Sequence, residues 1–155
     1  MKLTILAVGK AHKTAESELW ADWLRRCPYP THLREFVSHL PAGPARTKEE
    51  SEKLLSYISQ CSGSPKRLII LDPNGVNISS EELADMIGHW RTEAISQCFF
   101  AIGGADGHHP DLLNTADKKI AFGRATWPHM LCRAMLAEQI YRAEMILARH
   151  PYHRG

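Results

Sequence analysis

Glu138 and Arg142 stand four residues apart in a stretch that is otherwise mostly apolar, and the chain closes soon after on "LARHPYHRG". A carboxylate and a guanidinium at this spacing share one face of a helix. On an open surface such a pair contributes little; among apolar residues it is also a way to hold a fixed charge towards a substrate. The tail adds Tyr152, His153 and Arg154. Histidine exchanges protons near neutral pH, and arginine takes phosphate oxygens in a planar fork. The ending is either a solvated tail or an element that grips a hydrogen-bonding, anionic substrate.

Three further segments are rich in residues that let a backbone approach a ligand. They are "LDPNG" (71–75), "IGGADG" (102–107) and "FGRATWPH" (122–129). Glycines there permit tight turns and equally permit close approach. Each alone reads as a turn; three at the exits of one small sheet point to a bound ligand. "GGADG" is not the G-x-G-x-x-G of dinucleotide sites, and it lacks the Gly-Lys-Ser/Thr of a phosphate-cradling loop. Asp106, His108 and His109 cluster on this loop. Adjacent histidines on a loop rarely converge on one ion, and the cysteines are too distant to complete a set, so no metal is expected.

These segments sit between strands and helices whose order is legible. "KLTILAVG" (2–9) is a short buried strand, and "AESELWADWLRRC" (15–27) carries Leu19, Trp20, Trp23 and Leu24 at helical spacing. "HLREFVSHL" (32–40) alternates as a strand, and Thr47 with Glu50 has the spacing of a capping box for a helix over 47–61. "RLIILD" (67–72) and "CFFAIGG" (98–104) read as strands covered on both faces, and "KKIAFG" (118–123) as a last short one. Ser79 and Glu82 repeat the capping-box spacing before a helix, and Pro128 opens a final helix to Ala148. Strands alternating with helices give a largely parallel α/β sheet. In such sheets ligands bind at the carboxyl ends of the strands, where all three glycine-bearing segments fall.

The final helix is apolar over a wide arc: Leu131, Cys132, Met135, Leu136, Ile140, Ala143, Ile146 and Leu147. That width exceeds what one core contact needs and suggests a partner chain. Arg133, Glu138, Arg142 and Glu144 interrupt it, so it does not read as a membrane span.

With 155 residues the chain fits one domain, 1–155. A formal net charge of +2 leaves no general polybasic character, so any nucleic acid must be met by locally gathered cations. Cys27, Cys61, Cys98 and Cys132 have neither zinc-site nor disulfide-framework spacing and read as free buried thiols. The apolar run in "MKLTILAVGK" is too short for a signal sequence, and a cytoplasmic protein is expected.

The succession of "LD", "IGG", "TWPHMLCRAMLAEQIYRA" and "HPYHRG" resembles the ribosomal RNA large subunit methyltransferase H family, the smallest SPOUT methyltransferases. The likeness runs from "MKLTILAVGK" to "HPYHRG" and is densest in the last thirty residues. It implies an α/β fold with a C-terminal trefoil knot, a homodimer, and S-adenosylmethionine bound in the knot. It also implies methylation at N3 of a pseudouridine in 23S rRNA, within a stem-loop facing the decoding centre of the assembled ribosome.

Position by position, the resemblance places cofactor contacts at Leu71, Gly103 and the run Phe122, Gly123, Arg124, Ala125, Thr126 and Trp127. It makes the wide apolar helix the dimer interface, with one subunit's tail reaching the other's cofactor. Arg142, Tyr152, His153 and Arg154 would hold the target nucleotide, His153 would accept its proton, and Glu138 would orient Arg142. The chain departs from the family at Ala105-Asp106, where Pro-Glu is usual, and at Phe122-Gly123-Arg124, where Ser-Leu-Ser-like residues are common. Both departures touch the pocket rim. Two rivals follow: a ribosome-associated RNA-binding protein of the same fold without catalysis, and a flavodoxin-like nucleotide-binding module, whose Ser/Thr-rich phosphate loop is missing here.

Overall fold

A computed structural model describes residues 1–151. Strands β1 (Lys2–Val8), β2 (Thr31–Phe36), β3 (Lys66–Asn77), β4 (Gln97–Ile102) and β5 (Lys118–Ala121) form one sheet in the order β2-β1-β4-β3-β5. Every pairing is parallel. Helices α1 (Ala15–Arg26), α2 (Pro44–Gln60), α3 (Ser80–Thr92), α4 (Pro110–Thr115) and α5 (His129–Leu147) connect the strands and close the chain.

Alternation along each strand builds two cores. Leu3, Ile5, Ile69, Cys98 and Phe100 point towards α1, α3 and α5, while Leu6, Val8, Leu68, Ile70 and Phe99 point towards α2 and α4. Each large side chain buried this way contributes about 1.5–3 kcal/mol. Helix α5 packs against both α1 and α3, so Leu136, Ile140 and Ala143 are covered by the chain itself. Glu144 is buried as well, held by both terminal nitrogens of Arg91, which lies over the Tyr29 ring. The breadth of the apolar arc is thus largely answered within one subunit. What it leaves open is an apolar depression of about 570 Å³ among Leu19, Trp23, Leu131 and Met135.

The capping box at Ser79 and Glu82 forms as expected, each side chain meeting the other's backbone N–H. The one at Thr47 does not. Pro44, whose fixed φ suits a first helical turn, starts α2 behind Gly43, and Thr47 donates its hydroxyl back to the Gly43 carbonyl at 3.3 Å. Glu50 then faces Arg46 at 2.9 Å. Strand β2 ends at Phe36, short of residue 40. Helix α4 has only six residues, too few for a periodic pattern to announce it; the His109 ring nitrogen accepts from the Asp111 N–H at its start.

The largest departure is at "LDPNG". The strand does not stop there: β3 bulges between Leu71 and Val76 and pairs again with β5 through Val76–Ile120 and Asn77–Ala121. Gly75 makes this close approach to β5 possible, since a Cβ on it would lie 2.6 Å from the Ile120 carbonyl carbon.

Candidate functional site

Three connections meet at the carboxyl ends of β3, β4 and β5 and enclose a cavity of about 540 Å³. That volume suits a nucleoside-sized ligand. Leu71, Asp72 and Pro73 bring the β3 bulge to one wall. Gly103, Gly104, Ala105 and Gly107 bring the turn after β4; the Gly107 N–H donates to the Gly104 carbonyl at 3.1 Å, and Gly107 sits at φ +72°. The two glycine backbones are pressed together, because a Cβ on Gly103 would lie 2.9 Å from the Gly107 carbonyl.

The third wall is the 122–129 connection. Its shape is set by two hydrogen bonds: the Gly123 N–H donates to Asn77 Oδ1 at 3.0 Å, and the Trp127 indole N–H donates to the Phe122 carbonyl at 2.9 Å. His129 and Cys132, from the first turn of α5, complete the lining. Burial, with the neighbouring Arg133 charge adding to it, pushes the His129 pKa down, so the imidazole is neutral at physiological pH. Burial raises the pKa of Cys132, which favours its thiol form. Among the described residues the wall therefore offers backbone groups, mostly apolar side chains, the Thr126 hydroxyl, the His129 imidazole and a single carboxylate, Asp72. Among the described residues no lysine or arginine lines it.

Behind this wall Arg133 is fully buried. Its guanidinium donates to the Val8 and Gly9 carbonyls at 2.8 Å each and to Glu35 Oε1 at 2.6 Å, and it lies 5.4 Å from the Trp20 ring centroid. One side chain thus ties the start of α5 to the ends of β1 and β2. One helical turn further, the Glu138 carboxylate accepts from Arg142 Nε at 3.0 Å and Nη2 at 2.7 Å. Its other oxygen accepts from Gln139, whose amide oxygen accepts from Ser80. Glu138 lines the apolar depression, and Phe122 lies on both that depression and the cavity wall, so the two sites adjoin.

A family model described as "Predicted SPOUT methyltransferase" matches residues 1–153. The chain belongs to the SPOUT methyltransferases. Within them it belongs with proteins named ribosomal RNA large subunit methyltransferase H. That of Paramagnetospirillum magneticum is 42% identical over 155 residues and covers 99% of each chain. That of Nitrobacter hamburgensis is 41% identical over 160 residues, all of both chains, and that of Novosphingobium aromaticivorans is 40% identical over 154 residues, 99% of both.

In this SPOUT chain Leu71, Gly103, Phe122, Gly123, Ala125, Thr126 and Trp127 all lie on the one cavity wall, while Arg124 does not. Arg124 and the rim residues Ala105 and Asp106 are exposed. Glu138 and Arg142 are brought together; Tyr152, His153 and Arg154 lie outside the described residues. Sequence reasoning passed over Asp72, His129 and Arg133. Asp72 follows the strand-end Leu71 directly, and Arg133 is a lone cation one turn after His129 in an apolar run, which is the signal that was there to be read. His108, read with Asp106 and His109 as a loop cluster, turns inward instead: burial pushes its pKa down to about 4, against opposing pulls from the Ala101 backbone and Asp72. No group of three or more metal-ligating side chains is assembled among the described residues. No described helix is long and apolar enough to cross a membrane.

Proposed function

We propose that this SPOUT methyltransferase binds S-adenosylmethionine in the cavity at the ends of β3, β4 and β5. In this reading it methylates N3 of a pseudouridine in 23S rRNA on the assembled ribosome, in the cytoplasm. The observation that carries the proposal is the cavity's chemistry. A wall of backbone groups and apolar side chains suits an adenosine, since N–H and C=O groups can meet an adenine edge. One carboxylate and no described cation suit a ligand bearing a sulfonium and an ammonium, and would serve a nucleotide phosphate or flavin poorly. The bound cofactor supplies a methyl group whose bond to sulfur breaks as the bond to N3 forms, while N3 loses its proton.

The chain's own residues have three tasks. Leu71, Gly103 and the 122–127 loop hold the cofactor, and Asp72 faces its positive charge. Arg142, fixed by Glu138, presents a guanidinium to the target nucleotide. Tyr152, His153 and Arg154 complete the grip, with His153 taking the proton. The apolar depression among Leu19, Trp23, Leu131 and Met135 supports a homodimer in which a second copy covers it.

The relatives' names, which specify the large-subunit rRNA, support the substrate class. Calorimetry with S-adenosylmethionine tests the first step: a one-site isotherm per chain is expected. An absence of binding leaves only an RNA-binding protein of this fold.

A further inference from the structure

A groove of about 780 Å³ runs along the outer edge of β2, between that strand and α1. His12 and Lys13 come to it from the loop after β1, and His32 and Arg34 from β2, where they share one face. Lys10 lies exposed on the same loop. We infer that this groove is a docking surface for the phosphate backbone of structured RNA flanking the target nucleotide. The inference rests on reading the protein as an rRNA methyltransferase.

The first support is the charge at the groove itself. Arg46, Arg67, Arg91, Arg133 and Arg142 each meet a carboxylate. Lys10, Lys13 and Arg34 make no ion pair among the described residues, although the whole chain carries a net charge of only +2. Cations gathered and left without carboxylate partners form a local positive field that phosphates can enter. Glu35 is the one acidic residue on the groove wall, and it is already engaged, accepting from Arg133 at 2.6 Å and from the Ala11 N–H at 2.7 Å.

The second support is position. β2 pairs only with β1, so its outer edge leaves backbone N–H donors without ladder partners. Donors of that kind bind phosphate oxygens without regard to sequence. The end of the groove at Glu35 is joined through Arg133 to the first turn of α5, where His129 lines the cofactor cavity. An RNA whose target base enters that site has its flanking backbone led towards cations already in place.

The test uses the full-length protein carrying K13E and R34E together. Binding to purified bacterial 70S ribosomes is measured between 50 and 200 mM salt, about the range over which phosphate contacts separate from other terms. Ribosome affinity is expected to fall about tenfold or more, and the slope of log K against log salt to flatten by about 1.5–2. S-adenosylmethionine binding should stay at the wild-type value, and the K13R/R34K pair should bind ribosomes like wild type. Wild-type ribosome affinity and salt slope in the reversed variant, with cofactor binding intact, would overturn the docking surface alone. Failure of the wild-type protein itself to bind ribosomes would overturn the rRNA reading and the groove's role together.

Discussion

The fully buried guanidinium of Arg133 on α5 lies 2.6 Å from the Glu35 carboxylate on β2 and joins the site helix to the far edge of the sheet. Burial alone lowers the pKa of Arg133; the Glu35 hydrogen bond and charge oppose that shift. The arginine also takes the Val8 and Gly9 carbonyls, so its removal strands three acceptors at once. Arg133→Ala is expected to cost about 3–5 kcal/mol in urea unfolding. Arg133→Lys keeps the charge without the planar fork and should recover only part of that. A loss below about 1 kcal/mol for the alanine variant would contradict the anchoring role.

Two glycines separate fold from ligand. A Cβ at Gly75 meets the Ile120 backbone at 2.6–2.8 Å, and backbone on both sides cannot yield, so Gly75→Ala should lower stability by about 2 kcal/mol or more. A Cβ at Gly103 meets Gly107 at 2.9 Å inside the cavity rim. Gly103→Ala is expected to weaken S-adenosylmethionine binding about tenfold or more by calorimetry, with a smaller change in unfolding free energy.

His108 makes stability depend on pH. Its folded pKa of about 4 lies below the ordinary value of 6.5, so the unfolded chain binds the extra proton between them. The neutral ring's contribution is therefore fully present above about pH 6.5 and is lost as pH falls towards 4, by about 2–3 kcal/mol. Unfolding free energies of wild type and His108→Leu, measured from pH 7 to pH 4, should differ in slope by this histidine's share, the wild type losing stability more steeply as pH falls. Equal slopes would show that the ring is accessible to solvent.

In the proposed reaction Arg142 offers its charge to the nucleotide. Arg142→Ala is expected to lower methyl transfer about 100-fold, leaving the cofactor dissociation constant within about threefold of wild type. Glu138→Gln should give a smaller loss, because the amide still accepts one hydrogen bond but no longer balances the guanidinium charge. Equal losses in cofactor binding would assign the pair to folding.

The elements that recur at a clear period were legible in the sequence: β1, β4, α3 with its capping box, and α5. What escaped had physical reasons. Pro44 started α2 before the Thr47 signal, and α4 was too short to show a period. The Pro-Asn-Gly turn hid a bulge because pairing with β5, remote in sequence, keeps β3 going. At the site, glycines marked the three loop exits, and seven of the eight cofactor residues implied by the family resemblance line one cavity there. Arg133 and Asp72 escaped because a single charged residue reveals its partners only when distant strands are brought beside it.

The proposed N3 methylation joins one reaction to one rRNA target. Mass mapping of 23S rRNA from cells lacking this protein measures both at once. One pseudouridine should lose a single methyl group, regained when the isolated ribosomes are incubated with the purified protein and S-adenosylmethionine. An rRNA modification map identical to that of the parent cells would contradict it.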